Sequence, residues 1–171
     1  MTRPNVWRAR PYAVVLAAAL LLSGCAGGLP GIGEVELSHQ PVDQQQVLSI
    51  LNSYRAQHGV APLTASNDLR LAAQDMADHI ARRDRLKSPK HSRSGLYARL
   101  TAHGIKHDAA AENLGYGYAT LQAAFDGWHG SSGHDRNLLN PNVTQMGLAR
   151  TNRADGTYRN FWALIMARSE S

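Results

Sequence analysis

The sequence predicts an α+β domain in which helices cover an antiparallel sheet. Helical periodicity dominates residues 41 to 83, and two strand-like runs flank a turn near the end of the chain. A length of 171 residues suits one domain with a terminal extension, and a 43% apolar composition suits a packed core. One cysteine excludes an intrachain disulfide framework and any cysteine-rich zinc module.

The extension comes first. Residues 1–12 are basic, and Ala13 to Leu22 is an unbroken run of ten apolar residues. As a helix that run reaches only about 15 Å, half a bilayer core, so it reads as the apolar part of a signal peptide. It ends in Leu22-Ser23-Gly24-Cys25, which resembles the bacterial lipobox. The resemblance implies cleavage after residue 24, lipid attachment at Cys25 and an extracytoplasmic, membrane-anchored chain, at the outer membrane in a Gram-negative host. Ala26 to Gly33 holds four glycines and one proline, a tether without hydrophobic period. The expected organisation is a signal peptide over 1–24, a lipidated tether over 25–40 and a domain over 41–171. Without residues 1–24 the chain carries 15 Lys and Arg against 13 Asp and Glu, too weak a surplus for nucleic-acid binding.

Within the domain, Val47, Ile50, Leu51, Tyr54 and His58 fall at helical spacing, with Pro41 and Asp43 suited to the first turn and Gly59 to the stop. A second helix runs from Asn67 or Asp68 to about Arg83, its apolar face formed by Leu69, Ala72, Ala73, Met76, Ala77 and Ile80. Both long helices are expected on one face of the sheet. Arg82 to Arg93 holds six basic residues against Asp84, which reads as a solvated loop or as a contact for anionic lipid or wall polymer. Gly95 to His103 forms a short helix, 109–116 a strand, and Leu121, Ala124, Phe125 and Trp128 another amphipathic helix. A polar turn follows over 130–137. Gln145 to Arg150 and Tyr158 to Met166 are strands around the turn at 152–156.

Histidine is where chemistry is sought, because it binds metal and moves protons near neutral pH. His39, His58 and His79 lie in or beside the long helices and read as helix-face residues. His103 and His107 have a metal-like spacing, but Gly104 breaks the helix that would align them. His91 and His134 stand in distinctive phrases: His91-Ser92, then Glu112-Asn113, then Trp128-His-Gly-Ser131-Ser-Gly-His134, then Asn137-Leu-Leu-Asn140-Pro141. This ordered set resembles bacterial members of the CAP superfamily, relatives of cysteine-rich secretory proteins, over about residues 44–167. The resemblance implies a three-layer α–β–α sandwich with a central antiparallel sheet, and a shallow cleft where histidines and acidic residues meet. His91, Glu112 and His134 match three of the family's four cleft residues. Ser131 stands where many eukaryotic members carry a second glutamate.

Two neutral imidazoles can take two positions on zinc or another divalent cation, with Glu112 either a third ligand or the group that orients one ring. The same trio also fits a hydrogen-bonded scaffold, or the minimum set for metal-assisted hydrolysis. Ser131 is not a nucleophile elbow, since no strand leads into Gly130-Ser-Ser-Gly133, and Ser132 suits the cap of the following turn. The first expectation is therefore a non-enzymatic envelope lipoprotein whose cleft binds a small-molecule, lipid or envelope ligand, with a divalent metal. The alternative is a metal-dependent hydrolase acting on peptide or wall material.

Overall fold

In a computed structural model, which describes residues 35–169, the two apolar stripes form the long helices. Helix α1 (Gln44–Gln57) starts at Asp43, whose carboxylate accepts from the amides of Gln45 and Gln46 and satisfies two otherwise free donors. Helix α2 (Asn67–Arg83) starts at Ser66 and stops at Asp84, which takes a left-handed φ of 49°. The shorter helices are α3 (Arg93–Ala102), α4 (Leu121–His129) and α5 (Ser132–Leu138).

The strands are β1 (Ser38–Gln40), β2 (Thr64–Ala65), β3 (His107–Tyr116), β4 (Gln145–Asn152) and β5 (Asn160–Ser169). The sheet runs β1-β4-β5-β3 with antiparallel neighbours throughout. β2 pairs in parallel with the start of β4, so β1 and β2 share one edge of that strand. β5 is buried on both faces. Its Phe161, Ala163, Ile165 and Ala167 enter one core with α2 and α3, while Trp162, Leu164 and Met166 enter the other with α1, α4 and α5. This is the expected α–β–α sandwich.

Three expectations need correction. The long helices lie on opposite faces of the sheet, because Val47 and Leu51 pack in one core and Leu69 to Ile80 in the other. An apolar stripe shows that a helix is covered, not from which side. The tether ends before residue 40, since Ser38, His39 and Gln40 pair with Asn152, Thr151 and Arg150. The turn expected over 130–137 is mostly the helix α5; Ser131, not Ser132, stands at its N-cap position, and its hydroxyl makes no bond to the helix amides. The signal-peptide segment, Cys25 and the tether up to residue 34 lie outside the described residues. Among the described residues no helix is long and apolar enough to cross a membrane.

The end of the sheet where β4 turns into β5 is tied to the end of α2. Arg153 donates to the carbonyls of Ala81 and Arg82, and the Asp84 carboxylate accepts from the Thr157 and Tyr158 amides at 2.7 and 3.3 Å. At the other end α2 touches β4 directly: a side chain on Gly147 would lie 2.1 Å from the Arg70 amide nitrogen.

Candidate functional site

The site is organised by two adjacent residues of the edge strand β3. Successive side chains of a strand point to opposite faces, so Glu112 faces the α2–α3 layer and Asn113 faces the α4–α5 layer. Both are buried. Glu112 accepts from His91 Nδ1 at 2.8 Å through one oxygen and from Arg99 through the other. Asn113 donates to the His134 carbonyl at 3.0 Å and accepts from Asn137 at 2.9 Å. Asn137 also donates to the Glu112 carbonyl, so one amide side chain of α5 spans both residues.

Local chemistry sets His91 in place. The Ser88 hydroxyl accepts from the Lys90 amide, the Ser88 carbonyl accepts from the His91 amide, and Ser92 caps α3 through the Gly95 amide. Gly95 lets this loop lie close, because a Cβ there would sit 2.5 Å from the Lys90 carbonyl oxygen. The carboxylate of Glu112 is paired with Arg99 and accepts only, which assigns the His91 proton to Nδ1 and leaves Nε2 without a protein partner among the described residues. The His91 side chain is 36% exposed while those of Glu112 and Arg99 are 4% and 8% exposed. A half-open imidazole thus rests on a buried ion pair.

His134 sits in the first turns of α5, where its Nδ1 meets the Ser131 hydroxyl at 3.1 Å. Burial lowers its pKa below the ordinary 6.5, and electrostatic repulsion between its protonated form and the His91 ring lowers it further. The two rings therefore feel each other across the edge of β3. They line separate recesses: His91, Glu112 and Leu96 border one of about 200 Å³, and Ser131, His134, Trp128 and Tyr116 border one of about 260 Å³. The hydrogen bonds of Asn113 and Asn137 join the two. Among the described residues no three His, Cys, Asp or Glu groups stand close enough to hold a metal ion. Glu112 has both oxygens engaged, so it orients His91 in the manner of a carboxylate behind a metal-bound histidine.

The remaining histidines are accounted for elsewhere. His39 pairs with Asp78, His79 with Ser88 and His103 with Asp75, while His107 bonds the Ile105 carbonyl and His58 the Tyr54 carbonyl. His129 packs edge-on against the Tyr54 ring. Phe161 and Trp162 are core, and Trp128 is both core and recess wall, its indole donating to the Leu114 carbonyl. Sequence reasoning missed Arg99, Asn113 and Asn137 as parts of the site. Arg99 was signalled by its spacing, since it shares a helical face with the buried Leu96 and Leu100. Asn113 is signalled in the same way, a polar residue inside an apolar strand.

A central antiparallel sheet between helical layers, with a His–Glu pair at its edge, is the arrangement that the sequence phrases imply. Residues 48–166 match the model of the cysteine-rich secretory protein family, CAP, and the chain belongs to that family. It is 28% identical over 109 residues to the uncharacterized protein YkwD of Bacillus subtilis (strain 168), covering 61% of this chain and 41% of that protein. It is 27% identical over 139 residues to the uncharacterized membrane protein YlbC of the same organism, covering 81% and 39%. The chain thus spans about two fifths of the length of these curated relatives. Among solved structures, an extracellular SCP-domain protein of Bacillus anthracis str. Ames aligns with a TM-score of 0.62 at 24% identity over 73% of this chain and 40% of that one. An outer surface protein of Borrelia burgdorferi aligns with a TM-score of 0.65 at 16% identity over 78% of this chain and 100% of that one.

Proposed function

We propose that the chain is an extracytoplasmic lipoprotein, anchored through Cys25, whose CAP domain is a non-enzymatic ligand-binding module with a weak divalent-cation site at His91 and His134. The observation that carries this reading is the commitment of Glu112. With one oxygen on Arg99 and the other on His91, both oxygens of its carboxylate are engaged and it is not free to act as a general base. Ser131 supplies no second carboxylate. Neither acid of a two-carboxylate hydrolytic mechanism is therefore available, which favours binding as the function of these groups. The fit to a cation is that of two ligands: each ring has its Nδ1 bonded and its Nε2 without a protein partner among the described residues. A cation there would supply Lewis acidity toward an oxygen of the bound molecule, and water would complete its shell. The extracytoplasmic placement draws support from the leader sequence and from the extracellular and outer-surface relatives.

Zinc calorimetry on the chain from residue 26 onward tests the site. His91→Gln and His134→Gln should each remove most of the heat, and Glu112→Gln should weaken binding by roughly 10- to 100-fold as loss of an orienting partner does. His103→Gln and His107→Gln should leave it unchanged. Unaltered affinity in the His91→Gln, His134→Gln double variant would remove the cation site. Fatty-acid labelling tests the anchor: equal labelling of wild type and Cys25→Ser excludes it.

A further inference from the structure

The charge of the domain is concentrated in one segment. Residues 82–93 hold six Lys and Arg against Asp84 alone, whereas the rest of residues 35–169 hold nine against ten Asp and Glu. All six of these basic residues are exposed, and none of their side chains has a hydrogen-bond or ion-pair partner among the described residues. The loop that carries them is nevertheless fixed, through the Ser88 and Ser92 bonds and the close packing of Gly95 on Lys90. These cations are displayed on a loop whose far end is hydrogen-bonded in place.

Their position in the fold adds a second observation. The first of them leave α2 at the end where β4 turns into β5, tied there by Arg153 and Asp84. Tyr116, at the end of β3, and Tyr158, in that turn, lie in contact with ring centroids 3.9 Å apart and planes tilted by 41°, and are 37% and 36% exposed. Leu86 of the basic loop borders the same recess as Tyr116. Arg159 is exposed beside the pair. The acids here are mostly engaged: Asp84 with the turn amides and Asp155 with Arg153, leaving Glu36 without a hydrogen bond among the described residues. β1 begins at this end as well, since Ser38 pairs with Asn152. Unpaired cations, exposed tyrosines and the start of the chain's first strand therefore share one end of the sheet.

We propose that this end of the domain, carrying Arg82, Arg83, Arg85, Lys87, Arg159 and the Tyr116–Tyr158 pair, docks on a bilayer rich in anionic phospholipid. Cations gather at the negative headgroup surface, and tyrosine settles where an apolar ring and a wet hydroxyl are both satisfied. The orientation rests on the anchor reading above: ten residues separate Cys25 from Val35 and reach at most about 36 Å, so the end where β1 starts stays near the membrane.

The test removes the anchor. All five strands and both cores lie within residues 35–169, so the unlipidated chain from residue 26 onward is sedimented with vesicles of phosphatidylcholine, with and without phosphatidylglycerol. It should partition onto the anionic vesicles only, and added salt should release it. Joint replacement Arg82→Gln, Arg83→Gln, Arg85→Gln, Lys87→Gln should lower partitioning about tenfold or more. Tyr116→Ser with Tyr158→Ser should weaken binding without altering its salt dependence, which keeps the test independent of any one variant's folding. Lys106→Gln with Arg136→Gln, two exposed cations elsewhere, should change nothing. No partitioning, equal partitioning onto phosphatidylcholine alone, or full partitioning by the four-charge variant would each overturn the docking face. So would competition by free glycerophosphate as effective as that by vesicles, which would mean a headgroup pocket. None of these outcomes bears on the fatty-acid labelling of Cys25, so the anchor stands or falls separately.

Discussion

Arg99 decides how Glu112 behaves. A carboxylate with 4% exposure survives as an anion only if its charge is met inside the protein, and the guanidinium of Arg99, itself 8% exposed, meets it. Arg99→Met would leave the carboxylate buried against a half-open histidine. It should cost about 3–5 kcal/mol in urea melts, whereas Arg99→Met with Glu112→Gln should recover a large part of that loss. Two other histidines make the fold sensitive to acid. Burial, followed by the charges of Lys90, Arg83 and Arg99, lowers the pKa of His79, and burial with the His91 charge lowers that of His134. Both bind protons more readily in the unfolded chain, so stability is fully present above their ordinary value of 6.5 and declines as pH falls through it. Melts taken from pH 8 down to about 5 should show this decline, and His79→Gln should flatten part of it. At this scale His91, Glu112 and His134 were legible because each stands in a phrase with its neighbours. The spacing of Arg99 marked a polar group on a buried helical face, but its pairing was hidden because its partner is thirteen residues away on another element.

At the scale of elements, contact between layers carries the stability. Leu51 and Ile80 are buried in opposite cores, and Leu51→Ala or Ile80→Ala should each cost roughly 2–5 kcal/mol. Gly147→Ala should be at least as damaging, because its added methyl meets α2 backbone and not a side chain that can swing away. Changes below half of the lower bound at all three positions would contradict this packing. Long helices were readable from spacing alone, within three residues at each end of α1 and almost to the residue for α2. Short elements were not. β1 and β2 are three and two residues long and exist only as partners for the edge of β4, so no local period announces them. α5 looked like a turn because its residues, Ser-Gly-His-Asp-Arg-Asn before Leu138, are polar and carry a glycine. It is helical because Leu138 is buried, Asp135 meets the Tyr54 hydroxyl of α1 at 2.6 Å, and Asn137 reaches across to β3.

For the whole molecule, the sheet acts as a partition between two recesses. One layer supplies His91 on its buried ion pair, the other supplies His134 with Ser131, and β3 alone separates them at the edge. The sandwich could be expected from the order of the sequence phrases, but the division into two recesses could not. It arises because Glu112 and Asn113, neighbours in sequence, point to opposite faces. A cation held by both rings would have to span that edge through the two Nε2 atoms, with Glu112 and Ser131 bonded to the Nδ1 atoms. A zinc-soaked crystal of the domain, phased to locate the metal by its anomalous signal, measures this directly. One zinc site is expected, with Nε2 of His91 and Nε2 of His134 as its protein ligands, water completing the shell, and the Glu112–Arg99 pair intact behind it. Zinc bound directly by Glu112, or bound elsewhere with no density between the two rings, would contradict that expectation.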